Sequence, residues 1–533
     1  METTMARSKT NSQFQWILLF PFIMLAINVF GQHYYDTHIK NKFVDENVFL
    51  KQKTDTKKPP EFNEIKDLLP QPLWPARKDV IDCYWKTWEI AFSNIHQVSL
   101  ENKFISPFID AAFNGNIFMW DSGFMLMFGK YAMRAFDFRG TLNNFYAKQH
   151  PDGFICREIR ESDGGDNFER FDPSSTGPNI LPWTEWEYFL NFNDTVRLKA
   201  VFPPLLAYYQ WFQTNRTWPD GTYYSSGWGC GMDNQPRVPK GENPEWGTGH
   251  MSWIDITFQE LFSGRLLIEM AKTIGRETDV SEIKIENEKL KGFVRNRMWD
   301  EKMAFFYDRF QNGSLSSVKS IAAFWALLAN GVEDKNVTRF IHHLTDTDEF
   351  NRKHRVPSLS ADHPAFNPDG GYWLGSVWAP TNYMVLRGLT NYRQDSLAHV
   401  IALNHLNNVV EVFNETGALW ENYSPDKVQG NNKKNLVGWT GLVPITVLFE
   451  YVFGLRPDVH SNTLTWDVRL TDDFGVHRYP YGQYGSIDLY CMKRKSSMDE
   501  PVVLISSNVQ FKLKLIWSGG SKEIEVVPGE DIK

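Results

Sequence analysis

The apolar residues of this 533-residue chain change their period once, and that change bounds what it can fold into. Between about residues 79 and 452 they recur at three- and four-residue spacing. Phe258, Leu261, Phe262, Leu266 and Leu267 are one example, and this spacing puts them on one face of a helix. After Gly454 the period falls to two. Leu464, Trp466, Val468 and Leu470 alternate with polar residues, as do Val509, Phe511, Leu513, Leu515 and Trp517, which is the signature of half-buried strands. The pattern therefore predicts a mainly α fold. Helices are expected over approximately 79–94, 119–134, 138–149, 183–192, 195–215, 253–274, 279–298, 317–330, 335–344, 378–390, 393–414 and 438–452. Joined in pairs, these segments suggest an (α/α)6 barrel over residues 75–455, followed by a small β-sandwich over 456–533. The long irregular stretches 150–182, 216–252, 346–377 and 415–437 hold most of the Gly-, Trp-, Asp- and Asn-rich motifs, as loops that carry function do.

The N-terminus reads as an address. Arg7 and Lys9 precede a mostly apolar run from Trp16 to Phe30, interrupted only by Pro21 and Asn28. Residues 1–31 thus fit a signal peptide, with cleavage after Gly31, or a short type II membrane anchor. Both send the chain to the secretory pathway, within the endoplasmic reticulum or Golgi lumen or outside the cell. Residues 32–74, with Lys57-Lys58-Pro59-Pro60 and further prolines at 70, 72 and 75, read as a stem. Glycosylation sequons begin at Asn193, Asn215, Asn312, Asn336, Asn414 and Asn422; the last is followed by Pro425 and is a poor acceptor. Four cysteines are too few and too widely spaced for a disulfide scaffold or a zinc site, and one disulfide is permitted.

Composition excludes several functions. A net charge of −8 without a Lys/Arg stripe offers nothing to phosphates, so no nucleic-acid partner is expected. There is no phosphate-binding G-x-x-x-x-G-K-[ST], no H-E-x-x-H metal helix and no G-x-S-x-G nucleophile elbow. No metal or organic cofactor is expected. The 20 Trp, 20 Tyr and 39 Phe fill cores, and they also suit a site that stacks on sugar rings.

What remains is acidic residues set among glycines and aromatics, the pattern that glycoside hydrolysis requires of its two carboxyls. In Ser226-Gly-Trp-Gly-Cys-Gly-Met-Asp233-Asn234-Gln-Pro-Arg237, three glycines let the backbone approach a ligand just before Asp233, although an Asx turn ahead of Pro236 would use the same residue. In Leu419-Trp-Glu421-Asn-Tyr-Ser-Pro425, the loop carboxylate either does chemistry or bonds nearby backbone. In Phe118-Met-Trp120-Asp121-Ser-Gly123, Asp121 either grips sugar hydroxyls or caps the following helix. The aromatics of Gly370-Gly-Tyr372-Trp373-Leu-Gly-Ser-Val-Trp378 either line a pocket or, for Trp378, sit in the core.

Together and in this order these segments resemble glycoside hydrolase family 63, most of all its mannosylglycerate hydrolase-like branch. The resemblance spans roughly residues 75–455 and is most specific at Gly-x-Asp-Asn-x-Pro-Arg combined with Trp-Glu-Asn-Tyr. It implies an (α/α)6 catalytic domain and hydrolysis of an α-glycosidic bond with inversion, Asp233 acting as general acid and Glu421 as general base. It also implies a sugar subsite of Trp120, Asp121, Gln149, Gly231, Tyr372 and Trp373, with Arg237 beside it. The substrate would be a small saccharide or glycan. Family members commonly carry Tyr-Trp-Arg-Gly-Pro where this chain has Tyr372-Trp-Leu374-Gly-Ser376. That departure leaves open a lumenal sugar-binding protein that has lost turnover. Trehalases and rhamnosidases share the helical architecture, but the arginine-rich signatures typical of trehalases are absent.

Overall fold

The computed structural model describes residues 39–111, 114–435 and 438–530. The segment Trp16–Phe30, with the signal or anchor role expected of it, lies outside the described residues. Among the described residues no helix is long and apolar enough to cross a membrane.

The protein is mainly helical, and each segment expected to be helical is so. Two kinds of helix are distinguishable by what they bury. Every residue of Met119–Gly129 is buried, as expected of a helix apolar on all sides. Ser281–Arg297 buries only Ile283, Asn287, Leu290 and Val294, one stripe at helical spacing. The most deeply buried helices touch in sequence: Met119–Gly129 packs on Leu181–Phe192, and that helix on Ile254–Ile274. Ile254–Ile274 meets Trp325–Leu328, which packs on Ala379–Asn391, and the turn Gly438–Leu442 returns the cycle to Met119–Gly129. Glycine permits this closeness, since a Cβ at Gly123 would run into Ile180 and one at Gly441 into Phe128. The last expected helix departs from α geometry. Gly438–Leu442 winds as a tight 3-10 turn and Val443–Val452 as wider π-type turns, with Pro444 lacking the N–H of a normal first turn.

The cycle holds a buried ionic network. Lys130 donates to Glu450 Oε1 at 2.7 Å and to Glu187 Oε2 at 3.3 Å, and Arg387 pairs with Glu187. Tyr131 and Tyr383 donate to the two oxygens of Glu450, at 3.1 and 2.9 Å.

After residue 454 the chain forms strands, in two four-stranded sheets. One runs Leu455–Asp458, Thr463–Asp467, Phe511–Trp517, Gly520–Val526, with a parallel pairing between its middle strands. The other runs Gln71–Leu73, Phe474–Tyr481, Gly485–Cys491, Val503–Ser507. Trp466–Phe474 and Tyr481–Phe511 ring contacts join the two.

Gln71–Leu73 comes from the stretch expected to be a stem, and here the expectation is corrected. Phe43, Phe49, Leu69 and Trp74 are buried, and Pro72 pairs with Val476 inside the sheet. Apolar residues between the lysines find partners on the body, so only about 50–58 stays exposed as a stem would. All four cysteines are free and buried, so the permitted disulfide is not formed.

Candidate active site

Long loops converge on a cavity of about 370 Å³. Its wall is assembled from residues far apart in sequence. The short strand Asn116–Phe118 pairs antiparallel with Glu158–Arg160, and Met119 N–H donates to the Arg157 carbonyl at 2.7 Å. This pairing sets Phe118, Trp120 and Asp121 beside Arg157 and Glu158 on the wall. Asp121 is not the helix cap. Phe118 occupies that position, and Asp121 lies in the first turn. Its Oδ1 and the Trp120 Nε1 are buried without a partner, two polar atoms for which a ligand is the natural complement. Burial, and then the charge of Glu421, push the Asp121 carboxyl well above the usual carboxylate range.

Asp233 is delivered by a one-turn helix. Ser226 Oγ accepts from Gly229 N–H at 3.0 Å to start Gly227–Cys230, and Gly231, with φ +75°, reverses the chain. Gly231 lies on the wall against the edge of Trp120. The next loop is stapled to residues 371–373. Asn234 Nδ2 donates to the Gly371 carbonyl at 3.1 Å, and Trp373 N–H donates to Asn234 Oδ1 at 2.9 Å. Tyr372, whose φ of +65° is unusual for an aromatic residue, donates its hydroxyl to Asp233 Oδ2 at 3.1 Å. Burial raises Asp233 to about pKa 6, with Arg157 and the Tyr372 hydroxyl holding it from rising further.

Glu421 sits at a β-bulge. Trp420 pairs with Lys434 and Asn422 with Asn431, so Asn432 and Lys433 together oppose Glu421. The Lys433 backbone N–H and the Asn432 side chain both bond its carboxylate. Asn432 takes φ +63°, and a Cβ at Gly430 would run into the Trp420 indole. Glu421 is 5% exposed and does not itself form part of the wall. Its charge acts on two wall residues, Asp121 and Tyr372, and wall residue Trp439 donates Nε1–H to its carbonyl at 3.0 Å. Burial lifts Glu421 to about pKa 7, with Asp233 adding to the rise.

Three residues expected in the subsite belong elsewhere. Arg237 is buried and uses all five of its N–H donors on Asp255, Asp308 and Cys230 Sγ, leaving none for a ligand. Gln149 donates to the carbonyls of Gly153 and Pro204, at 3.0 and 2.8 Å, and accepts from Asn47, so it ties the N-terminal segment to the body. Trp373 is 1% exposed and stacks on buried Trp378 at 3.9 Å, one layer behind the wall. Leu374 and Ser376, the departures from the family pattern, do not line the cavity either. The sequence did not single out Arg157, Glu158, Phe168, Trp228 and Trp439 as wall residues. They lie in or beside the long loops, and only the non-local pairing with Asn116–Phe118 marks Arg157 and Glu158.

Residues 116–436 match the family model described as the mannosylglycerate hydrolase MGH1-like glycoside hydrolase domain, which is more than half of the chain. The chain belongs to that family, the mannosylglycerate hydrolase-like branch of glycoside hydrolase family 63. An uncharacterized protein of Borreliella burgdorferi is 24% identical over 349 residues, covering 63% of this chain and 71% of the relative. The probable mannosyl-oligosaccharide glucosidase of Schizosaccharomyces pombe is 24% identical over 280 residues, covering 46% of this chain and 34% of that enzyme. The chain thus spans about a third of the length of that yeast relative. The crystal structure of the family 63 mannosylglycerate hydrolase from Thermus thermophilus with glucose superposes with a TM-score of 0.56 at 18% identity. The match covers 68% of this chain and 98% of that one, and at that identity it is a likeness of fold.

Proposed function

We propose that this protein is an inverting glycoside hydrolase that cleaves an α-glucoside or α-mannoside, with Asp233 as general acid and Glu421 as general base. The observation that carries the reading is the pairing of two elevated carboxyls at one cavity, Asp233 on the wall and Glu421 near enough for its charge to act on wall residues Asp121 and Tyr372, each in a segment that resembles a family motif. Asp233 protonates the departing glycosidic oxygen while Glu421 draws a proton from a water on the opposite face of the sugar ring. The unpartnered Trp120 Nε1 and Asp121 carboxyl meet sugar hydroxyls, and the Tyr372 hydroxyl orients Asp233. Gly231 lets the ring approach the backbone.

The reaction needs one proton between the two carboxyls, and it must sit on Asp233. Both carboxyls are raised toward neutral pH, Glu421 to about 7 and Asp233 to about 6, and their mutual repulsion favours a single proton shared between them. An aglycone resting on Asp233 strips water from it, raises it further and moves the proton to where it is needed. Activity is expected to peak where the pair holds one proton, between about pH 6 and 7.

In this reading the cycle of buried helices is the inner ring of an (α/α)6 barrel over residues 75–455. The strands of 456–533 form an accessory sandwich that also takes in Gln71–Leu73. The sequence before residue 39 directs the protein to the secretory pathway. The relatives, a mannosylglycerate hydrolase and mannosyl-oligosaccharide glucosidases, motivate the choice of gluco- and manno-configured substrates. Asp233→Asn and Glu421→Gln are each expected to lower hydrolysis by about 10²–10⁴-fold with an unchanged circular dichroism spectrum. Near-normal turnover in either variant removes that residue from its role.

A further inference from the structure

The side of the cavity where the aglycone must lie follows from the acid. Asp233 protonates the leaving oxygen, so the departing group sits next to Asp233. The segment bordering Asp233 there is 242–247. The Glu245 charge acts on Asp233, the Glu245 carbonyl accepts Trp228 N–H at 2.7 Å, and a Cβ at Gly227 would run into both the Pro244 and Asp233 carbonyls. Two indoles stand at this point. Trp228 is part of the cavity wall, and Trp246 meets it edge to face with centroids 4.4 Å apart and an interplanar angle of 86°. Trp246 is 52% exposed, a large apolar surface that the fold does not use.

The charges on the same side are arranged against an anion. Arg157 is the one cation among the described residues lining the cavity. Its Nη1 is paired with Glu158 at 2.8 Å, its Nε donates to the Ser174 carbonyl at 2.7 Å, and its guanidinium lies over Phe168. A carboxylate entering here would feel the Glu245 charge that acts on Asp233 and would find Arg157 with its Nη1 and Nε already engaged.

We infer that Trp228 and Trp246 form a platform for a neutral second sugar ring, and that this protein takes a saccharide aglycone in preference to a small anionic one such as glycerate. The inference rests on the proposed role of Asp233 as the acid, which sets the aglycone side. An aromatic face covers the apolar C–H face of a pyranose, while the ring hydroxyls stay in water at the rim.

Calorimetric titration of the Glu421→Gln protein, in which hydrolysis is blocked, tests this without turnover. The probes are α-linked glucose and mannose disaccharides, the corresponding methyl monosaccharide glycosides, and the glucosyl- and mannosylglycerates. For the preferred sugar, the disaccharide is expected to bind roughly tenfold tighter than the methyl glycoside and tighter than the glycerate conjugate. Adding Trp246→Ala should abolish most of that advantage, and Trp246→Phe should restore part of it. Equal affinity for disaccharide and methyl glycoside, an advantage that survives Trp246→Ala, or tightest binding of a glycerate conjugate would each overturn the inference. Turnover by the unmodified protein separates the two readings. Hydrolysis without a disaccharide advantage defeats the platform alone, whereas a disaccharide advantage without hydrolysis defeats the catalytic assignment alone.

Discussion

The helix Met119–Gly129 connects two buried clusters of charge that obey opposite rules. Near its start lie Asp121, Glu158, Asp233 and Glu421, all acidic, with Arg157 the lone cation among the described residues of the cavity wall. Just past its end, roughly 13 Å further along at 1.5 Å per residue, lies Lys130 with Glu187, Arg387 and Glu450, two charges of each sign. In both clusters burial works against charge, and the cations at hand decide the outcome for the carboxyls that shift. In the balanced cluster the guanidinium of Arg387 and the ammonium of Lys130 outweigh burial, and Glu187 is held below its ordinary value. At Asp121, Asp233 and Glu421 nothing outweighs burial, and all three rise. The balanced cluster fixes where helices meet. The acidic one keeps carboxyls poised to exchange protons, and it does so at the expense of stability.

Breaking the balanced cluster should have the largest effect. Lys130→Met leaves the carboxylates of Glu187 and Glu450 facing only Arg387, and denaturant unfolding should show a loss of about 3–5 kcal/mol. A loss below about 1 kcal/mol would mean that the network does not hold the helices together. Acid acts in the same direction. Because the folded pKa of Glu187 is depressed, its contribution is present above about pH 4.5, its unfolded value, and is lost as pH falls through the lower folded value.

The acidic cluster should respond with the opposite sign. Glu421 holds a proton up to about pH 7 when folded but releases it near 4.5 when unfolded, so its contribution to stability declines as pH rises between those values. Glu421→Gln removes that decline. Its stability relative to the unmodified protein should be unchanged below pH 4.5 and greater by about 3 kcal/mol above pH 7, read from unfolding curves across pH. The smallest effect is expected from Tyr372→Phe. Without the hydroxyl that stabilises its charged form, Asp233 should rise by less than about one unit. The alkaline limb of the kcat profile, set in the substrate complex by loss of the acid's proton, should move up with it while the acid limb stays. A downward shift would exclude Asp233 as the acid.

The sequence carried the helices well because apolar period is a local property. It also carried Asp233, Glu421, Trp120, Asp121, Gly231 and Tyr372 into one neighbourhood, because their loops share a recognisable pattern of glycines, aromatics and acids. It failed where the answer depends on partners distant in the chain. Arg237 looks like a site residue from its motif and is a structural cation only because Asp255 and Asp308 fold against it. Gln149 is a strut because Asn47 packs back on the body, and that same packing turned an apparent stem into part of the fold. Trp373 adjoins the site in sequence but stacks away from it, while Trp439, which no motif flagged, takes a place on the wall. The bulge that aims Glu421 at Asn432 and Lys433 depends on strand register, which local sequence does not display.

The proposed reaction is a single displacement by water, with one carboxyl on each side of the scissile bond. Proton NMR of the first-formed sugar during hydrolysis of an α-glucoside or α-mannoside, before mutarotation, reads this directly. Release of the β-anomer is the expected result. Release of the α-anomer would mean that a protein side chain attacks the sugar first, and the roles given to Asp233 and Glu421 would be wrong.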